Sequence, residues 1–423
     1  MENRDFLQQV EQSEKKGKGL IGFVGGLFTG VLVVGIISAI YMHRQSISIL
    51  GENNIQTSAQ AEEATVLDKD VLHKLGLLED AINKYYLESV DEEDLKDSLY
   101  HGFVAGLGDP YSVYYSPEEL EAVMEATEGI YYGIGAYIGV DQETGYCKIT
   151  KVMEGTPAEE AGVMAEDLIV AVDGEGMLNV GSSEIVTYIK GPEHTTVDLT
   201  LYREGETEYI EVTVERRKIE TPTVTYSMDE DRIATLQISE FDEVTMGQFE
   251  EYLEQAKKEG MKGLVLDLRD NPGGNLQTVV DIAGHFLPKG LVVYTEDKNG
   301  NRKEYNCDGR DELDVPLVVL INGNSASASE ILAGAIKDYK KGTLLGTTTF
   351  GKGIVQKIYP ITDGSGVKLT ISHYYTPGGA DIHGVGIDPD EELELDVDAY
   401  LENGYDNQME RAKEILRSQI TGD

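Results

Sequence analysis

Three serines alternate with small residues in the segment NSASASE (324–330), which is closed by Glu330. An apolar stretch, PLVVLING, runs straight into it, and a helical pattern follows, so Ser325, Ser327 and Ser329 fall where a strand meets a helix. Free N–H groups and positive partial charge at that helix start can stabilise an oxyanion, and small side chains let a substrate backbone come close. The plainer reading is that Ser327-Ala-Ser-Glu330 is a capping box and nothing more. A second segment, GTTTFGKGIVQ (346–356), nearly spells a phosphate-binding loop, but Gly353 stands where that loop needs Ser or Thr for magnesium. What remains is Lys352 between two glycines in apolar surroundings. A buried lysine has a lowered pKa and can take the proton of a serine hydroxyl. Gln356, four residues on, is placed to orient the amine. Gly273 and Gly274, after Asp270-Asn271-Pro272, form either a tight turn or a backbone donor for an oxyanion.

Other schemes find less support. A Ser/His/Asp triad has His285 and His373 as candidate bases, yet there is no GxSxG, and the two histidines lie on a helix pattern and a strand pattern. Seven His with no HExxH, and two Cys too far apart to pair on a metal, Cys147 and Cys307, argue against a zinc site. No cofactor is expected. The formal net charge of −42 would repel phosphates, so a nucleic-acid partner is not expected either.

The chain of 423 residues has room for two or three domains. Residues 20–41 are uncharged and mostly apolar, and as a helix would be ~33 Å long, enough to cross a bilayer. Arg4, Lys15, Lys16 and Lys18 precede the run and only Arg44 follows closely, which predicts residues 1–18 in the cytoplasm, an anchor over 19–41 and the body outside. A cleaved signal peptide is the competing reading, but the run is long for one. Gly22, Gly26 and Gly30 repeat at the spacing of a helix-pairing face, so a homodimer is among the expectations. Residues 42–65 read as a polar tether.

From residue 66 to 128 the pattern is helical, with Leu75, Leu78 and Ile82, then Leu95, Leu99, Phe103 and Leu107, at steps of three and four. The pattern suggests packing without chemistry, and GDPYS (108–112) reads as a turn. Short alternating apolar runs between residues 129 and 217 predict a small β-rich domain. It contains two helical pieces, one opening at Thr156 with Pro157 next and Glu159 completing a capping box. Residues 218–400 alternate buried strands and helices, and 401–423 form a last helix. Residues 388–398 hold seven carboxylates and read as a solvated edge.

LVLDLRDNPGG (264–274), NGNSASASEILAGAIKDYKKG (322–342), GTTTFGKGIVQ and YYTPGGADIHGVGIDPD (374–390), in this order, closely resemble the carboxy-terminal processing peptidases. GDPYSVYYSPEE (108–119) matches as well, and the resemblance covers residues 67 to about 398. It implies a mixed α+β chain: a crotonase/ClpP-like α/β protease core with an embedded PDZ domain. It implies a Ser–Lys endopeptidase in which Ser327 is the nucleophile, Lys352 the base and Gln356 its assistant, with the backbone N–H groups of Gly273 and Ala328 as the oxyanion hole. Tyr132, Gly133, Ile134, Gly135 and Ala136 match a PDZ carboxylate-binding loop, which captures free C-termini by adding the peptide as a strand. Relatives often carry Arg just before the glycine that is Gly191 here. Lys190 stands in its place and lacks the bidentate fork, so it is a weaker candidate for coupling the PDZ domain to the active site. The expected protein is an exported-protein processing enzyme on the outer face of a bacterial plasma membrane, with peptides bearing free C-termini as partners. The rival is a non-catalytic PDZ scaffold.

Overall fold

The computed structural model describes residues 66–309 and 311–422. The expected tail, anchor and tether, with Gly22, Gly26 and Gly30, lie outside these residues. Among the described residues no helix is long and apolar enough to cross a membrane.

The chain enters through α1 (Lys69–Tyr85) and α2 (Glu92–Ala105), each begun by an aspartate, Asp68 and Asp91, whose carboxylate caps the first free N–H groups. Neither helix has a buried residue, and Leu78, Leu95, Leu99 and Phe103 are exposed. This corrects the packing expectation: a three-and-four periodicity reports an apolar face and is silent on what covers it. Strand β1 (Val113–Tyr115) follows, then α3 (Pro117–Glu128), begun by a complete Ser116/Glu119 capping box and ended by Gly129 at φ +68°. Strand β2 (Ile130–Gly133) leads out of this region.

The β-rich unit comprises β3 (Ala136–Val140), β4 (Cys147–Val152), a single turn α4 (Pro157–Glu160), β5 (Leu168–Val172), β6 (Glu175–Gly176), α5 (Ser182–Ile189), β7 (Thr196–Tyr202) and β8 (Ile210–Glu215). Its sheet runs β3-β4-β5-β7-β8, with β6 on β5. Alternate residues, among them Ile149, Ile169, Val197, Leu199 and Leu201, bury against Ile185 and Ile189 of α5. The capping box expected at Thr156 does not form. The Thr156 hydroxyl donates to the carbonyl of Met153 (2.6 Å), and Glu159 reaches past it to the Gly155 amide. Strand β9 (Arg217–Glu220) pairs antiparallel with β2 and closes the neck through which the unit joins the rest.

The remaining chain forms β10 (Val224–Met228), β11 (Ile233–Ile238), α6 (Thr245–Lys258), β12 (Gly263–Asp267), α7 (Leu276–Ala283), β13 (Gly290–Asp297), β14 (Arg302–Cys307), β15 (Leu317–Ile321), α8 (Ala328–Tyr339), β16 (Thr343–Gly346), β17 (Ile354–Pro360), β18 (Gly366–Tyr375), β19 (Glu391–Glu392), α9 (Val397–Asn403) and α10 (Asn407–Thr421). The central sheet runs β10-β11-β12-β15-β16-β19, antiparallel only at β10–β11. Its inner strands are buried on both faces, which is why they read as unbroken apolar runs. Leu264, Leu266, Val319 and Ile321 face α6, α7 and α8, and Val265, Val318 and Leu320 face Ala412 and Leu416 of α10. The carboxylate-rich stretch supplies the edge strand β19. Helix α8 ends on Lys340 at φ +55°, and Gly342, just before β16, lies against Leu317. A second sheet, β1-β18-β13-β14 with β17 on β18, takes in β1 from the amino-terminal region.

Candidate active site

Parallel strands β12 and β15 end side by side, and the loops after them interlock. After β12, Asn271 is fully buried. Its Nδ2 donates to the Ile238 carbonyl (2.8 Å), and its backbone carbonyl accepts from the Ala326 amide (3.0 Å) and the Ser329 hydroxyl (2.9 Å). Ser325 donates its hydroxyl to the Leu268 carbonyl (2.8 Å). Two of the three serines thus clamp the Gly-Gly turn to the start of α8, and Ser327 lies between them.

Ser327 has φ +53° and ψ −111°, a conformation L-residues rarely hold. Gly273 (φ +114°) sits against it: a β-carbon there would fall 2.7 Å from Ser327 Cβ and 3.0 Å from the Ala328 nitrogen. Only glycine allows this approach. The expected capping box forms on its Glu330 side. The carboxylate accepts the Ser327 amide (2.9 Å), and the Glu330 amide goes to the Ser327 carbonyl oxygen (2.9 Å).

Lys352 lies between β16 and β17 and is 2 % exposed. The loop resembling a phosphate cradle does cradle an anion, but the anion belongs to the protein. Glu330 accepts the amides of Gly351 (2.7 Å) and Lys352 (2.8 Å) and the Thr349 hydroxyl (2.6 Å), in addition to the Ser327 amide. A second bridge is the buried Tyr374 hydroxyl, 2.9 Å from the Ser327 carbonyl oxygen and also bonded to that of Lys352. Burial pushes the Lys352 amine down to about 8, and the neighbouring charge of Lys368 adds to this against the pull of Glu330. Such an amine is a competent proton acceptor near neutral pH.

Gln356 is buried on β17 next to a register shift between Val355 and Gln356, and its Nε2 turns back to the Ile354 carbonyl at 3.5 Å. Of the two expected oxyanion donors, the Ala328 amide has no hydrogen-bond partner among the described residues. The Gly273 amide is engaged by Asn271 Oδ1 at 2.8 Å. The candidate triad bases are elsewhere. His285 lies just past α7 against Phe249, and His373 on β18 stacks edge-on with His383.

In the β-rich unit, Gly133, Ile134, Gly135 and Ala136 line a groove of about 130 Å³ closed by Val186, Ile189 and Lys190 of the α5 segment. Tyr132 is not part of that lining. It is 39 % exposed on the neck ribbon, and Tyr131 takes its place. Lys190 pairs with Glu125 of α3 at 2.6 Å. Sequence reasoning missed the bridging role of Glu330, the second bridge Tyr374, and the clamp through Asn271. Glu330 carried a signal as the capping acid; the others are marked by position in space alone.

The sequence matches the profile of peptidase family S41 over residues 232–393, a PDZ domain profile over 148–203, and the profile of the activating protease CtpB N-terminal domain over 32–119. It is 35 % identical over 319 residues to the carboxyl-terminal-processing protease of Synechocystis sp., covering 74 % of this chain and 75 % of that one. This chain belongs to the carboxy-terminal processing peptidases. It is also 33 % identical over 363 residues to the carboxy-terminal processing protease CtpA of Bacillus subtilis, covering 85 % of this chain and 76 % of that one. Among solved structures, the photosystem II D1 C-terminal processing protease is 31 % identical with a TM-score of 0.45, over 76 % of this chain and 86 % of that one. The peptidase is thus of the serine type, with a mixed α/β architecture carrying a PDZ domain.

Proposed function

We propose that this peptidase cuts exported proteins near their C-termini by a Ser–Lys mechanism. The observation that carries the proposal is the shared anchorage of Ser327 and Lys352 on Glu330, together with the burial of Lys352. Ser327 Oγ attacks the scissile carbonyl carbon as Lys352 Nζ takes its proton. The tetrahedral oxyanion collapses, and the proton passes to the departing amine. Lys352 then deprotonates a water that hydrolyses the ester and returns the proton to Ser327. Gln356 assists the amine. The amides of Ala328 and Gly273 receive the oxyanion, which requires Gly273 to leave Asn271.

That engaged Gly273 amide supports a gated enzyme. In the resting state the donor is occupied and Lys190 is tied to Glu125. A substrate C-terminus in the groove at residues 131–136 would favour an active state, and a hundredfold shift needs ~2.7 kcal/mol of differential binding. The core is assigned a crotonase/ClpP-like arrangement, and the domain limits follow the sequence reading: 66–128, 129–217 and 218–400. The apolar run at 19–41 anchors the chain in a bacterial plasma membrane with the body outside. The exposed apolar faces of α1 and α2 support a homodimer.

A fluorophosphonate probe with site mapping tests the mechanism. Label on Ser327, lost in Ser327→Ala together with cleavage, is expected; undiminished cleavage by Ser327→Ala overturns it and leaves a PDZ scaffold reading. Cleavage of one unstructured peptide with a free or amidated C-terminus tests the gate, since equal rates would show that the groove does not read carboxylates.

A further inference from the structure

The turn at residues 108–112 lies beside Lys352. The Tyr111 ring centroid is 5.0 Å from Lys352 Nζ, within cation–π range. The turn is rigid: the Tyr111 amide donates to Asp109 Oδ1 (3.0 Å), and the Ser112 hydroxyl to Asp109 Oδ2 (2.6 Å). It is docked on β18, because Ser112 Oγ accepts the Thr370 amide (3.1 Å) and β1 continues as an antiparallel neighbour, with Val113 opposite Lys368. Lys368 is 7 % exposed, with Nζ 5.3 Å from the Tyr115 ring. Two buried lysines, each under a tyrosine from one short segment, therefore share one site.

We propose that the Gly108–Ser112 turn is part of the catalytic centre, with Tyr111 the positioning residue that covers Lys352 and shields it from water, and Lys368 the second buried amine packed against the same segment. The proposal rests on the Ser–Lys reading. The groups facing Lys352 are Glu330 from α8, Lys368 and Tyr374 from β18, and Tyr111 from the turn, with Asp109 and His383 behind them. Among these groups Glu330 draws the proton to Lys352. Burial dominates, and Lys368 acts in the same direction. Burial lowers Lys368 too, and Asp109 counters this, helping it keep its charge. Removing the ring forfeits a cation–π contact but admits water. Since burial is the larger cause, the net effect is an amine that holds its proton more tightly.

The test is the pH profile of kcat/KM for one unstructured peptide, with folding monitored by circular dichroism. In Tyr111→Leu and Lys368→Met the acidic limb should move up by about one pH unit. Cleavage at pH 6.5 then falls about tenfold and returns to near the parent rate by pH 10. Tyr111→Phe, which keeps the ring, should restore the limb. A folded Tyr111→Leu or Lys368→Met with an unmoved limb, or a loss equal at every pH, overturns the proposal and leaves the turn a packing element. Lys352→Ala run in parallel separates the two readings: full cleavage there would sink the Ser–Lys mechanism itself.

Discussion

Glu330 accepts the backbone amide of Lys352 at 2.8 Å, so the helix that begins at the candidate nucleophile also holds the loop of the candidate base. The same carboxylate takes the Ser327 amide, the Gly351 amide and the Thr349 hydroxyl. Burial pushes its pKa up, and these four donors oppose that. A motif that would ordinarily only cap a helix here spans two loops separated by more than twenty residues.

Glu330→Gln should damage both loops together. One carboxylate oxygen becomes an NH₂ that cannot accept, and buried N–H donors are left facing it. The expected cost is about 1–3 kcal/mol per orphaned donor, seen as a lower Tm, with fluorophosphonate labelling of Ser327 slowed. Parent-like Tm and labelling would mean the bridge contributes nothing.

Lys352→Met should abolish cleavage yet raise Tm at pH 7. The amine titrates near 8 when folded against about 10.5 unfolded, so the unfolded chain binds the extra proton between those values. Stability from this group is therefore lowest below pH 8 and rises toward pH 10.5. The difference is on the order of 3 kcal/mol by the same linkage. The stabilising effect of Met should shrink as pH rises to 10.5, and cleavage by the parent should climb through about pH 8. A Tm difference that does not vary with pH would contradict the buried amine.

Ser325→Ala and Ser329→Ala should separate from Ser327→Ala. Each removes a hydroxyl that holds a carbonyl of the Gly-Gly turn, so about 1–3 kcal/mol of stability is lost while cleavage persists in the folded fraction. Ser327→Ala should lose cleavage and keep most of its stability. A dead, fully folded Ser325→Ala would shift the nucleophile by two residues.

Asp242 and Glu240 give the opposite pH trend. Burial raises Asp242 to about 8, with Glu240 adding to it, and burial raises Glu240 to about 7. Both are native-state carboxyls with raised pKa, so stability present below about pH 4 is lost as pH rises through 7 to 8. Asp242 packs where a β-carbon at Gly129, the entry to the PDZ neck, would meet it at 2.9 Å. Asp242→Asn should raise Tm at pH 8 and leave it nearly unchanged at pH 4; the reverse order would refute the buried acid.

The sequence by itself determined the main strands of the β-rich unit and the inner strands β12 and β15 of the core, because burial on both faces writes apolar runs and burial on one face writes alternation. It also determined which residue types could act, since a serine hydroxyl and a lysine amine carry that chemistry in the side chain itself. Residue types and spacing could not show which hydroxyls are engaged, the resemblance alone marking Ser327: those of Ser325 and Ser329 are taken up by carbonyls of a loop more than fifty residues away. The tertiary structure decided that. It set Gly273 against Ser327, buried Lys352 under Tyr111, turned a phosphate-like loop around Glu330, and left the apolar faces of α1 and α2 uncovered. The physical reason is common to all four. A pKa, a clash or a cavity depends on neighbours distant in the chain, whereas periodicity and caps depend only on residues a few positions apart.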